Sequence, residues 1–96
     1  MSARFEWDER KDASNYRKHR VLFETAALVF DDPELVLWQD REIEGEERWQ
    51  AIGKVRGLLL LMVAHTIRDE EGDEIVRIIS AREATPHERR EYDRRD

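Results

Sequence analysis

Residues 58–92 read LLLLMVAHTIRDEEGDEIVRIISAREATPHERREY. This stretch predicts two strands, residues 58–66 and 74–80, joined by an acidic turn at residues 69–73 and followed by a helix. The second strand runs straight on into Ala81 and Arg82. An otherwise apolar hairpin therefore holds six polar side chains on a rigid platform, where such groups can converge on one site: His65, Thr66, Arg68, Arg77, Ser80 and Arg82.

The first third of the chain is predicted to be mainly helical. A short strand at residues 4–7 precedes a helix over residues 8–20, for which Asp8 is a suitable N-cap. A second helix over residues 22–30 has a nearly continuous apolar face, which predicts that it lies across a sheet. The sequence Asp31-Asp32-Pro33 ends it.

The remainder of the chain predicts strands and a last helix. Strand patterns at residues 35–39 and 48–54 precede the hairpin, and their short connections favour antiparallel neighbours. Thr85, Pro86 and Glu88 predict a capping box that opens a C-terminal helix. The expected fold class is α+β, with two N-terminal helices on a four- to five-stranded, mainly antiparallel sheet and a C-terminal helix.

Length and composition restrict the class of protein. Ninety-six residues fit one domain, residues 1–96, because so short a chain buries only about 60 to 65% of its unfolded surface. The absence of cysteine excludes disulfides and thiolate metal sites. No basic and apolar leader pattern precedes the first elements, and the apolar run at residues 58–64 is far short of the roughly 20 residues that span a bilayer. We therefore expect a soluble, cytoplasmic protein.

The net charge of −6 is unevenly distributed. Residues 1–47 contain 7 Lys/Arg against 13 Asp/Glu, and residues 48–96 contain 10 against 10. Such acidity argues against strong non-specific binding of nucleic acid, which depends on basic groups that release counterions. A local basic site remains compatible with it.

Six motifs stand in order along nearly the whole chain. They are Phe5-Glu6-Trp7-Asp8, Arg17-Lys18-His19, Val21-x-Phe23-Glu24-x-Ala26, Val29-Phe30-Asp31-Asp32-Pro33, Glu47-Arg48-Trp49-x-Ala51-Ile52-Gly53 and Arg77-Ile78-Ile79-Ser80-Ala81-Arg82. Together they resemble the BrnT family of type II toxins. Two features depart from the family pattern: Arg20 stands where glycine usually follows Lys-His, and the chain is acidic where many members are basic.

The resemblance implies a RelE-like fold and a metal-independent endoribonuclease that arrests growth by inhibiting translation. It also implies neutralisation by a BrnA-like antitoxin with a ribbon-helix-helix DNA-binding domain, in an assembly of two toxins bridged by an antitoxin dimer. Operator DNA would then be contacted only through the antitoxin. We expect the antitoxin on the C-terminal helix and on the sheet face that the first two helices leave uncovered.

The candidate catalytic residues are His65, Arg68, Arg77 and Arg82. RNA cleavage by the ribose 2′-hydroxyl requires proton transfer, for which histidine is suited near neutral pH, and cations that stabilise the phosphorane. Two of these residues have an alternative interpretation. His65 would be a strand-end histidine bonded to a backbone carbonyl, and Arg77 would form a structural ion pair with a neighbouring carboxylate.

The candidate RNA-binding residues are Lys54, Thr66, Ser80, Trp49 and Tyr92. Lys54 and Arg68 are predicted to end adjacent strands and flank one mouth of the sheet, although solvated strand-end charges are the usual alternative. Thr66 and Ser80 offer hydroxyl donors, although such groups often satisfy local backbone. Trp49 and Tyr92 would stack on bases, or instead belong to the core and anchor the last helix.

No metal-ligand pattern is present, and no cofactor is expected. Two functions of different classes remain open from the sequence. The first is an endoribonuclease toxin. The second is a non-catalytic module that binds the antitoxin and modulates the binding of the antitoxin to operator DNA.

Overall fold

The computed structural model describes residues 3–94, so residues 1, 2, 95 and 96 of the predicted domain lie outside the described part. Five strands and three α-helices make up the described part. In chain order these are β1 (Ala3–Glu6), α1 (Glu9–His19), α2 (Phe23–Ala26), a 3₁₀ helix (Ala27–Asp31), β2 (Val36–Ile43), β3 (Glu46–Val55), β4 (Leu59–Glu70), β5 (Asp73–Glu83) and α3 (Pro86–Asp93). No helix within residues 3–94 has the length and apolar character needed to span a membrane.

The five strands form one mixed sheet in the order β1-β5-β4-β3-β2. The predicted meander is confirmed for β2 to β5, whose neighbours are antiparallel. The description "mainly antiparallel" is incomplete, because β1 pairs with β5 in parallel. The long connection through α1 and α2 makes this parallel pairing possible.

The β4–β5 hairpin is longer than predicted. Its strands reach Glu70 and Asp73, so the turn contains only Glu71 and Gly72, with φ of 53° and 87°. Two consecutive positive φ values are typical of the type I′ turn, whose twist matches the flanking strands. Arg68 therefore lies within a strand and not beside a loop.

The predicted extent of the second helix, residues 22–30, is wrong. Only Phe23–Ala26 are α-helical, and the chain then tightens into the 3₁₀ helix. The Asp32 carboxylate accepts hydrogen bonds from the Lys54 amide and the Tyr92 hydroxyl, both at 2.7 Å, and draws this segment onto β3. A Cβ on Gly53 would lie 3.0 Å from the Val29 carbonyl oxygen, so glycine is needed for this close approach.

The junction between the first two helices accommodates an arginine where the family pattern has glycine. Arg20 is the C-cap of α1 and has a left-handed φ of 60°. Its guanidinium lies 5.5 Å from the centre of the Tyr16 ring, a cation–π contact that offsets part of the backbone strain.

The two faces of the sheet are covered differently. One face packs against α1, α2 and the 3₁₀ helix and forms the main core, which includes Phe23, Val29, Leu61, Val63 and Ile78. We call the opposite side the open face. Among residues 3–94, only α3 packs on it, through a smaller cluster of Ile52, Leu60 and Tyr92.

A buried asparagine joins α1 to the edge of β5. Asn15 accepts a hydrogen bond from the Ala81 amide at 3.0 Å and donates to the Ala81 carbonyl at 2.8 Å. It also donates to the Val21 carbonyl at 2.9 Å. The side-chain amide of Asn15 thus makes the two hydrogen bonds that a neighbouring strand would make to Ala81. At this point the edge of β5 therefore has no unpaired backbone N–H or C=O group.

We predict that Asn15→Ala lowers the free energy of unfolding by about 2 to 4 kcal/mol, because it leaves buried backbone groups of Ala81 and Val21 unpaired. Urea denaturation would measure this as a lower midpoint at unchanged slope. The exposed neighbour Ser14→Ala is the control and should stay within about 0.5 kcal/mol of wild type. Equal midpoints for the two variants would contradict this role for Asn15.

Candidate functional site

A β-bulge in the hairpin decides which side chains share the open face. Ala64 pairs with Ser80 and His65 pairs with Ile78, so Ile79 is an extra residue in β5. Arg77 and Arg82 are five positions apart and would face opposite sides of a regular strand, because side chains alternate. The bulge shifts the alternation by one residue and brings both arginines to the open face.

The strand register arranges the candidate residues of the open face in rows. Thr66 lies opposite Arg77, which lies opposite Glu6. In the next rows Ala64 lies opposite Ser80 and Met62 lies opposite Arg82. The predicted residues Thr66, Ser80, Arg77 and Arg82 are therefore brought onto one surface, with Arg68 opposite Ile75 one row beyond.

Arg68 and Arg77 converge on the carboxylate of Glu6. Arg77 Nη1 lies 3.0 Å from Glu6 Oε2, and Arg68 donates to both Glu6 oxygens at 2.8 and 3.2 Å. These hydrogen bonds, from Arg68 first and then Arg77, lower the pKa of Glu6 to about 2. Arg68 also contacts Glu70 at 3.3 Å. The structural ion pair considered for Arg77 is thus present, and its partner is Glu6 on β1.

Arg82 is held by Glu88 on α3. Two guanidinium nitrogens of Arg82 donate to the two Glu88 oxygens, each at 2.8 Å. This bidentate pair is the main reason that the pKa of Glu88 falls to about 2. Glu88 also accepts from the Thr85 amide and completes the predicted capping box. Arg82 therefore fixes the start of α3 to the open face.

His65 lies on the other face of the sheet, so its predicted convergence with the arginines is wrong. The ring is fully buried and packs edge-on against Phe30 with centroids 5.0 Å apart. Nδ1 lies 3.2 Å from the Val63 carbonyl oxygen, and Nε2 has no hydrogen-bond partner in the described part of the chain. Burial lowers the pKa of His65, so the ring is neutral at physiological pH.

Lys54 and Arg68 do not flank one mouth of the sheet. Lys54 pairs with Leu60 and Arg68 pairs with Ile75, so they stand at opposite ends of β4, about 27 Å apart along the strand. The Lys54 ammonium lies 5.7 Å from the centre of the Tyr92 ring.

Of the two aromatic candidates, Tyr92 serves packing and Trp49 lies on the helix side of the sheet. Tyr92 is buried, donates to Asp32 and anchors α3, which agrees with one of its two predicted roles. Trp49 pairs with His65 and therefore faces the helix side, where it is half-buried. Neither ring is presented to a ligand on the rows of Arg77 and Ser80.

Arg48 and Glu6 belong to the open face but are not among the predicted site residues. Alternation along β3 places Arg48 on the same side as Gln50 and Ile52. Its closest carboxylate oxygen, on Glu46, is 4.0 Å away, and within residues 3–94 its Nε is buried without a hydrogen-bond partner. Arg48 could have been found from the sequence by counting alternate positions back from Ile52. The position of Glu6 could not, because it depends on the parallel pairing of β1 with β5.

An apolar groove of about 620 Å³ runs between α3 and the open face. Val36, Trp38, Ile52 and Met62 form its floor on the sheet, and α3 forms its wall. Trp38 remains 39% exposed. Within residues 3–94, no three histidine or carboxylate side chains are grouped so that they could hold a metal ion.

Comparison with known proteins identifies the family. The family model for the ribonuclease toxin BrnT of type II toxin-antitoxin systems matches residues 7–88, most of the chain. The chain belongs to the BrnT family. Family membership confirms the resemblance read from the six motifs and places the protein among the toxins of type II systems, which act with an antitoxin partner.

A solved BrnT structure has the same fold. The crystal structure of the Brucella abortus ribonuclease toxin BrnT matches with a TM-score of 0.63 and 22% sequence identity, covering 88% of this chain and 99% of that one. A search of curated proteins found no match. The structural match supports the α+β architecture of the BrnT fold for this chain.

We predict that Glu88→Gln lowers the free energy of unfolding at pH 7 by about 1 to 2 kcal/mol, because glutamine keeps the cap but loses the charged pair with Arg82. The pKa of Glu88 is about 2 in the folded protein against 4.5 for the free group. The pair therefore stabilises the fold above about pH 4.5, and this contribution is lost as the pH falls toward 2.

Urea midpoints at pH 7, 5, 4 and 3 would test this, and the variant should lose less stability than wild type between pH 5 and 3. Glu91→Gln removes a carboxylate that is 57% exposed and paired with Arg94, and it is the control. Parallel pH profiles for wild type and Glu88→Gln would refute the assignment.

Proposed function

We propose that this BrnT protein is a metal-independent endoribonuclease that binds RNA on the open face and arrests growth by inhibiting translation. The observation that supports the proposal is the gathering of guanidinium and hydroxyl groups on consecutive rows of the open face. These groups belong to Arg48, Arg77, Arg82, Thr66 and Ser80.

The chemistry of the face suits cleavage by the 2′-hydroxyl of the substrate. In this reaction the 2′-oxygen attacks the adjacent phosphorus and the 5′-oxygen leaves, so negative charge develops on the phosphorane oxygens. Arginines stabilise that charge and do not exchange protons, because their pKa is above about 12. Arg77 and Arg82 are the proposed phosphate ligands, and Arg48 supplies a third cation that lacks a close ion pair.

Glu6 is the proposed general base in place of His65. Its carboxylate lies among the arginines and is partly exposed, whereas His65 is buried on the opposite side. With both arginines bound to it, Glu6 is a weak base. A phosphate that draws Arg77 away from Glu6 would raise the pKa of the carboxyl group and activate it only when substrate is present.

The proposed antitoxin is BrnA-like, with a ribbon-helix-helix domain, and forms a 2:2 complex with the toxin in the cytoplasm. It would seat an apolar side chain in the groove beside Trp38 and thereby cover the neighbouring Arg82–Glu88 pair. Operator DNA would be contacted by the antitoxin alone, because the toxin is acidic.

One observation favours the second function, a non-catalytic module that adjusts operator binding by the antitoxin. Glu6 and Glu88 compensate three of the open-face arginines, Arg68, Arg77 and Arg82. In that case the ion pairs would be permanent structural contacts, and RNA would not displace them.

We predict that the purified protein cleaves a single-stranded RNA oligonucleotide in the presence of EDTA and leaves 2′,3′-cyclic phosphate ends. Arg77→Gln should reduce the cleavage rate on the order of 100-fold, because it removes transition-state stabilisation. Expression without antitoxin should arrest growth for wild type and not for this variant.

Arg4→Gln is the matched control, since Arg4 lies on the same face, is 60% exposed and has carboxylates at 3.8 and 3.9 Å. It should cleave like wild type. Undiminished cleavage by Arg77→Gln would remove Arg77 from the site, and cleavage that EDTA abolishes would refute metal independence.

We predict that a neighbouring gene encodes a ribbon-helix-helix protein, that this protein forms a complex with a mass of two chains of each kind in native mass spectrometry, and that it suppresses cleavage. Trp38→Ala should weaken the complex at least on the order of 30-fold, as loss of a central aromatic contact does. Leu58→Ala, at a residue that is 84% exposed and outside the groove, should not.

These measurements also separate the two functions. A wild-type protein that forms the complex but leaves RNA uncut at low salt would support the non-catalytic module.

A further inference from the structure

We propose that the cleft between α1 and β5 is a second phosphate subsite, which binds the RNA backbone beside the scissile linkage. The proposal rests on the proposed ribonuclease function and extends the RNA path beyond the open-face arginines. The cleft has a volume of about 170 Å³ and is lined by Lys11, Ser14, Lys18, His19 and Ser80, together with Asn15 and Ile79.

The geometry of α1 directs two ammonium groups to this cleft. Lys11, Ser14 and Lys18 recur at intervals of three and four residues and so lie on one side of the helix. Asn15, on the same side, is fixed to the Ala81 peptide by two hydrogen bonds. The distance between the lysines and β5 is therefore set by a buried contact and not by a mobile loop.

The cleft adjoins the proposed cleavage surface. Ser80 lines it and also belongs to the open-face row opposite Ala64, between the rows of Arg77 and Arg82. A single strand that places one phosphate near Arg77 or Arg82 can continue over Ser80 toward α1. The hydroxyl of Ser80 is exposed and available as a donor to a phosphate oxygen.

Charge compensation distinguishes the cleft from the arginines of the open face. Arg68 and Arg77 share Glu6, and Arg82 is paired with Glu88. Within residues 3–94, by contrast, the ammonium groups of Lys11 and Lys18 have no carboxylate oxygen within 4 Å. A phosphate bound there gains attraction without first displacing an internal carboxylate.

α1 and its C-cap Arg20 form a basic segment on an acidic chain. Residues 9–20 contain five Lys/Arg, against Glu9 and Asp12. The Asp12 carboxylate accepts a hydrogen bond from the Phe23 amide at 2.9 Å and is turned toward α2. For a protein of net charge −6, this is the surface where RNA phosphates can replace counterions most readily.

Binding of a ten-nucleotide RNA, methylated at every 2′-oxygen so that it cannot be cleaved, tests the subsite by fluorescence anisotropy over a range of salt concentrations. Lys11→Gln/Lys18→Gln should weaken binding on the order of tenfold at low salt. The slope of log affinity against log salt should become shallower by about 1.4, which is two contacts at about 0.7 each for a single strand.

Arg10→Gln/Arg17→Gln is the matched control. It removes the same charge from the same exposed helix at the same seven-residue spacing, but these side chains point roughly 100° away around the helix axis. Its affinity and salt slope should stay near wild type. Equal weakening by the two double variants, or no weakening by the lysine pair, overturns the proposal, as does wild-type protein that binds no oligonucleotide.

Two further measurements, the binding of inorganic phosphate and the cleavage of unmodified RNA, distinguish failure of the subsite from failure of the ribonuclease function. If inorganic phosphate binds wild type as tightly as the oligonucleotide does, the cleft is a free-anion site and the proposal is overturned. Wild type that binds through the lysines yet leaves unmodified RNA uncut supports the subsite and refutes the ribonuclease function. Wild type that cleaves RNA, with a lysine variant that binds and cleaves equally well, refutes the subsite alone.

Discussion

The β-bulge at Ile79 is the constraint on which the composition of the open face depends. Side chains on a strand alternate between the two faces of the sheet. Because α1 and α2 cover one face, paired residues of β4 and β5 must both place their apolar side chains on that face. In a regular strand that places Arg77 on the open face, Ser80 and Arg82 would point into the apolar core. With the bulge, Val76, Ile78 and Ala81 are buried while Arg77, Ser80 and Arg82 share the open face.

The sequence predicted the elements better than it predicted the site. Hydrophobic periodicity, the Asp8 N-cap and the capping box located α1, α3 and the five strands, and the six motifs indicated the family, because each of these signals depends on neighbours in the chain. Alternation alone should have separated His65 from Thr66, since consecutive strand residues face opposite sides. The bulge places Arg82 on the same face as Arg77, and the parallel pairing of β1 places Glu6 beside Arg77. Both depend on long-range strand pairing, which no local sequence pattern predicts.

Paired charges explain how an acidic chain can maintain a face rich in arginine. Four guanidiniums on neighbouring rows would repel one another, and Glu6 and Glu88 reduce that repulsion while anchoring β1 and α3. Both carboxylates have pKa values near 2, so they remain ionised throughout the physiological range. On the proposed function, a substrate phosphate would have to compete with an internal carboxylate for each paired arginine. Under the same proposal, a ligand that brings several phosphates at once would be favoured over one that brings a single phosphate.

The edge of β5 changes its neighbours at the point where the proposed RNA path leaves the open face. β1 pairs with residues 74–77, and Asn15 satisfies the peptide of Ala81. The bulge lies between these two partners, so the edge of β5 changes there from a strand neighbour to a helix neighbour. A helix held by one side chain stands farther from the sheet than a hydrogen-bonded strand, and the cleft beside Ser80 opens in that gap. The irregularity that gathers the arginines on one face thus also creates the opening next to them.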